Sequence, residues 1–290
     1  MKSEVFGKSV QCVSHIRSGT ECQDNCKYQT LKKDGTIILA VADGHGSKNC
    51  PYSEKGSELA TNAFFTVMKR LLRGYEENLA QLLTYLNREG DTRIAMDIDA
   101  EWKRAVRKDY EKRGLTISKN ENGEEDLNSV YSQYGSTLLG LMITKDFLFG
   151  FQLGDGDICY VTDNDLEPVV VPDKILGVET HSLSRPDSWK KAITVVRRMD
   201  ISENLPAMFS LSSDGYANSY KSEEEFHNTV KDYLGMLKEY GCKAVEKSLP
   251  DWLSETSAMG CGDDITMLIA YFPKEEGEEK TMESEDSDNE

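Results

Sequence analysis

The chain has 290 residues, 38% of them hydrophobic, and a formal net charge of −17. That apolar content suffices for one sizeable core, while the acidity opposes nucleic-acid phosphates and anionic membranes as partners. No run of about 18 apolar residues occurs, and the opening MKSEVFGKSVQ lacks a hydrophobic signal core, so a cytoplasmic protein without a membrane span is expected. Lys8 to Ser14 and Thr36 to Ala42 carry the β-branched density of strands, with a polar stretch at 17–35 between them. From Ser53 to Arg73 the apolar residues Leu59, Ala60, Ala63, Phe64, Val67, Met68, Leu71 and Leu72 keep helical spacing, with Ser53 predicted as the N-cap. Two further helices are predicted around Leu79–Leu86 and Ile98–Tyr110, before a polar segment, ISKNENGEEDLNS, expected to be mobile.

A strand series follows at 136–144, 147–153, 158–162 and 167–171, and its short connections predict an antiparallel meander. Residues 172–190 read as a long surface loop; strands resume at 192–197 and 207–213. Helices near 226–237 and 243–256 then precede a buried strand at 265–272. Central strands flanked by helices predict an α+β sandwich. Residues 274–290 hold nine acids against two lysines without apolar periodicity, the composition of a disordered, solvated tail.

Seven cysteines, at 12, 22, 26, 50, 159, 242 and 261, include no C-x-x-C pair and read as reduced thiols. Cys22 and Cys26 beside only four scattered histidines make no recognisable zinc motif, and a structural zinc is not expected. No cysteine has an arginine six positions later, and neither a G-x-x-x-x-G-K-S/T loop nor H-E-x-x-H occurs, which argues against cysteine-based phosphatase, P-loop and zincin chemistry.

The informative pattern is where the strands stop. TIILAVA ends at Asp43, FLFGFQLG at Asp155 and AMFSLSS at Asp214, while ITMLIAYF begins after Asp263-Asp264. One Asp-Gly is ordinary turn chemistry. Three after buried strands, with an acid pair opening a fourth, are predicted to converge at a sheet edge as a negative cluster that needs counter-cations. Oxygen-only donors favour magnesium or manganese.

These segments resemble the metal-dependent protein phosphatases of the type 2C superfamily, particularly bacterial members. SHIRSGTECQDN (14–25) is similar to the opening motif, VADGHGS (41–47) to the DGHG signature and YGSTLLGLMI (134–143) to the Gly-Ser-Thr strand. FQLGDGD (151–157), SLSSDGY (210–216) and GDDITMLIAYF (262–272) complete six motifs in family order. The resemblance implies an α+β, four-layer α/β/β/α sandwich of two mainly antiparallel sheets, with a phosphatase domain over 1–273 that includes a helical segment at 74–134. The loop 172–190 lies where the family carries a flap. It also implies metal-dependent hydrolysis of phosphoserine and phosphothreonine in proteins by a metal-bridged hydroxide, without a phosphoenzyme.

By the same resemblance, Asp43 bridges two Mn2+ or Mg2+ ions, the Gly44 carbonyl binds one, and Asp214 and Asp263 complete the first ion's protein ligands. Asp155 with Asp214 forms a weaker third site, Asp24 supports the metal waters, and His45 is the general acid for the leaving alkoxide. Two departures stand out: Gln23 replaces a usual glutamate, and Gly19 a usual phosphate-clamping arginine, leaving Arg17 as the nearest phosphate-binding candidate. They frame the alternative of a weak or inactive relative that binds phosphoproteins. The implied partner is a phosphorylated protein, with the chain itself a monomer.

Overall fold

The computed structural model describes residues 2–171 and 180–274. Two five-stranded sheets face each other, and every strand pair in them is antiparallel. One runs β1 (Glu4–Val10), β10 (Ile265–Phe272), β9 (Ala207–Ser212), β6 (Asp157–Thr162), β7 (Leu166–Pro168). The other runs β2 (Asn25–Thr30), β3 (Ile37–Ala42), β4 (Leu138–Ile143), β5 (Phe147–Leu153), β8 (Ile193–Arg198).

The two-residue period of β3 distributes its side chains between two cores. Ile37, Leu39 and Val41 meet Leu268, Ala270 and Phe272 between the sheets, while Ile38, Ala40 and Ala42 face a helical layer. That layer comprises α2 (Ser53–Gly74), α3 (Leu79–Glu89), α4 (Ala95–Lys112) and α5 (Leu127–Ser132), with a π-type turn, Gly90–Ile94, joining α3 to α4. Over the other sheet, Met267, Ile269 and Tyr271 pack against α7 (Glu223–Tyr240) and α8 (Cys242–Met259). Two buried faces explain why the central strands read as continuous apolar runs. The result is the α+β, four-layer α/β/β/α sandwich.

Several local expectations change. The first strand is Glu4–Val10, and the chain then turns into a short helix, α1 (Val13–Ser18). The polar 17–35 stretch contains β2, an edge strand with a polar, partly exposed sequence. The cap of α2 is Tyr52, so Ser53 is already helical, and its hydroxyl serves another loop. In the 117–129 stretch, Asn120 Oδ1 accepts the N–H groups of Asn122 and Glu124, and Asp126 caps α5. The expected meander divides into two hairpins in different sheets: β4–β5 in one, β6–β7 in the other. The three residues Gly154-Asp155-Gly156 carry the chain across, because facing sheets at the end of a sandwich are as accessible to a short link as neighbouring strands. Of the expected flap-like loop 172–190, residues 172–179 lie outside the described residues, as does the tail from 275 onward.

Candidate metal centre

The strands place the sequence-selected aspartates at one end of the sandwich, drawn from both sheets rather than from the edge of one. Asp24 precedes β2, Asp43 follows β3 and Asp155 follows β5; Asp214 opens the short α6 (Asp214–Ala217) after β9, and Asp263 precedes β10. Asp43 is fixed through its backbone: its N–H donates to Thr137 Oγ1 at 3.0 Å and its carbonyl accepts the Thr137 N–H at 2.8 Å. Its carboxyl is held well above the usual carboxylate range, first by burial and then by the charges of Asp24, Asp214 and Asp263, with Asp24 also accepting a hydrogen bond from the protonated group. Asp24 is pushed up to about 6 by burial, although Ser213 Oγ donates to it at 2.7 Å. Asp214 is pushed up to about 7 by burial and then by Asp155, Asp263 and Asp24. Each of these acids therefore lies in the field of the others.

Supporting hydrogen bonds set the remaining members. Asn218 Nδ2 donates to Asp214 Oδ2 at 3.0 Å, and Thr180 Oγ1 to Asp155 Oδ2 at 2.7 Å. Asp263 Oδ1 accepts the Asp264 N–H at 2.8 Å. Gln152, buried in β5, donates through Nε2 to the carbonyls of Gly154 and Gly156, at 3.3 and 2.7 Å, and so grips the turn that presents Asp155. That contact is invisible in sequence, because a glutamine within FLFGFQL carries no signal of its function.

Gly44 is required by local packing. A Cβ there would lie 2.6 Å from the Ser53 carbonyl oxygen and 2.8 Å from that of Gln23, so no side chain fits where this loop crosses the start of α2. Gln23 belongs to the same junction. Its Oε1 accepts from Ser53 Oγ at 2.6 Å, and its Nε2 donates to the Glu21 carbonyl at 2.6 Å. A glutamate could not make the second bond, so the neutral amide serves the loop's own architecture. Gly19, at φ +70°, is the left-handed cap that ends α1, a conformation that disfavours an arginine. Arg17 stands exposed on α1, and no hydrogen bond or ion pair holds its guanidinium among the described residues.

His45 N–H donates to the Gly135 carbonyl at 3.1 Å, and its ring lies over the bare face of Gly135, where a Cβ would be 2.4 Å from Cδ2. The histidine lines a cleft of about 680 Å3 with Ser47, Asn128, Thr180, Ser184 and Arg185. Thr180 thus touches both the cleft and the Asp155 carboxylate. His15, which sequence reasoning did not select, and Asp264, the second acid of the pair before β10, complete the surroundings. Buried Asp264 accepts the backbone N–H groups of Cys12 and Gln23, and His15 Nδ1 sits 3.0 Å from its carboxylate.

Residues 12–254 match the family described as Protein phosphatase 2C. The chain belongs to that family. Solved structures share its fold. A serine/threonine phosphatase of S. agalactiae is 14% identical with a TM-score of 0.56, the alignment covering 93% of this chain and 99% of that one. The catalytic domain of the serine threonine protein phosphatase PstP, in complex with 2 manganese ions, is 14% identical with a TM-score of 0.54 and coverages of 93% and 97%. PppA, a regulatory component of T6SS in Pseudomonas aeruginosa, is 16% identical with a TM-score of 0.53 and the same coverages. No curated protein matches the sequence. Among the described residues of this type 2C member, no helix is long and apolar enough to cross a membrane.

Proposed function

We propose that this type 2C family member is an active phosphatase that hydrolyses phosphoserine and phosphothreonine in proteins. Two divalent ions, manganese or magnesium, would be held by Asp43, the Gly44 carbonyl, Asp214 and Asp263, with Asp155 and Asp214 offering a weaker third position. The carboxylate cluster carries this reading. Asp43 and Asp214 are opposed chiefly by burial and by other acids, a costly arrangement that hard cations with oxygen ligands relieve. PstP, with the same fold, was solved with manganese bound.

When bound, the ions activate water for in-line attack on phosphorus and neutralise phosphate charge. The chain's own groups do the rest. Asp24, which accepts from Ser213 Oγ and interacts with Asp43, would support the waters on the ions. His45, anchored by its backbone to Gly135 and exposed to the cleft, donates the proton that the departing seryl or threonyl oxygen requires. The cleft beyond it would take the residues flanking a phosphorylated side chain, with Arg185 supplying positive charge. Arg17, on the exposed face of α1, is the candidate contact for the phosphate oxygens.

The test is phosphate release from phosphoserine and phosphothreonine peptides by manganese-loaded protein, expected to exceed release from a phosphotyrosine peptide of the same sequence. Manganese-loaded protein that releases no phosphate from any of the three contradicts the proposal.

A further inference from the structure

Beside the carboxylate cluster lies a second group of potential ligands with different chemistry. Cys12, immediately before α1, His15 within it, and Asp264, immediately before β10, bring a sulfur, an imidazole nitrogen and a carboxylate oxygen within 4.8 Å of one another. Cys12 is 1% exposed and Asp264 3%. His15 Nδ1 is 3.0 Å from both oxygens of Asp264. Those oxygens also accept the N–H groups of Cys12 and Gln23, each at 2.7 Å. The thiol of Cys22, nearby, donates to the Asp24 carbonyl at 3.8 Å.

We propose that Cys12, His15 and Asp264 bind a zinc ion at a structural site separate from the oxygen-only cluster. A mixed sulfur, nitrogen and oxygen donor set suits zinc and disfavours magnesium, and three such ligands leave the fourth tetrahedral position to water or to Cys22. The charges balance: Cys12 as thiolate and Asp264 as carboxylate match the dication, His15 remains neutral, and the Cys12 proton leaves to solvent on binding. The two backbone N–H groups on Asp264 serve as the outer partners that orient a ligand. His15 and Asp264 are 249 residues apart, so no spacing motif could reveal the site. Its effect would be a staple. It ties the opening segment to the start of β10, one residue from Asp263, and through Gln23 it steadies the residue next to Asp24.

The experiment uses the full chain, stripped with a chelator under reducing conditions and titrated with Co2+, a spectroscopic substitute for zinc, in excess Mg2+. The expected result is a thiolate-to-cobalt charge-transfer band with tetrahedral visible bands, saturating at one ion per chain and erased by zinc. Asp214→Ala should keep the band, Cys12→Ser should lose it, and His15→Gln should weaken cobalt binding about tenfold or more. A wild-type protein that takes up cobalt without a thiolate band overturns the proposal. So does a Cys12→Ser variant with wild-type circular dichroism that retains the band. Neither readout involves a phosphate ester, so failure of the phosphatase reading leaves this test intact.

Discussion

Asp263 and Asp264 are consecutive residues with opposite surroundings. Asp263 is exposed, and its charge is one of those that raise the carboxyls of Asp43 and Asp214. Asp264 is buried and meets two backbone N–H groups, an imidazole and the Cys12 thiol. What a carboxylate does follows from what its lone pairs face. A group whose charge adds to those of other carboxylates calls for hard cations, whereas one that accepts N–H donors on both oxygens organises the backbone and, with sulfur and nitrogen beside it, suits a softer ion.

Breaking one region should leave the other in place. Asp43→Ala or Asp214→Ala removes a proposed ligand from the oxygen-only cluster, and metal-dependent turnover should fall by about a thousandfold or more, roughly 4 kcal/mol in the barrier. Circular dichroism should stay unchanged; near-normal activity in either variant would contradict the ligand assignment. His45→Ala should slow hydrolysis of a phosphothreonine peptide by about a hundredfold, and p-nitrophenyl phosphate far less, because nitrophenolate departs with little protonation. Equal losses on both substrates would remove the general-acid role.

The cluster should also imprint its pH dependence on metal-free stability. Asp24 and Asp214 sit at about 6 and about 7 in the folded chain, against about 4 when unfolded. The folded state therefore binds more protons in that window, and the contribution is full below about pH 4 and lost as pH rises through 6 to 7. Metal-free protein is expected to melt at a lower temperature at pH 8 than at pH 5, with manganese restoring the loss at pH 8. Asp43→Asn should narrow the difference. A metal-free melting temperature that rises from pH 5 to pH 8 contradicts this. The smallest effect is expected from Gln152→Met, which removes two hydrogen bonds to the Asp155 turn: about 1–2 kcal/mol of stability. Calorimetry should show manganese binding weakened in parallel, and an unchanged affinity would separate that turn from the ions.

The central strands between helices were legible because doubly buried strands leave apolar runs at short range, and the Asp-Gly pairs mark where three of those strands end; the four layers came from the family resemblance. What escaped lacks such marks. NCKYQT is an edge strand, held by pairing with β3 rather than by apolar alternation. The crossing at Gly154-Asp155-Gly156 reads like any turn between adjacent strands, and only the packing of two sheets distinguishes it. Gln152, His15 and Asp264 act through partners that are either backbone atoms or some 250 residues distant. Gln23 stood out in sequence only as a departure from a usual glutamate; the Glu21 carbonyl it donates to and the Ser53 hydroxyl it accepts from give the neutral amide a local purpose.

The most direct measurement is turnover of a phosphothreonine peptide by metal-stripped protein titrated with manganese and then magnesium, beside Asp214→Ala. Activity that is absent without metal, returns with manganese and stays absent in the variant is the predicted result. Turnover that survives stripping, or that manganese restores equally in Asp214→Ala, would contradict a catalytic metal centre built on these aspartates.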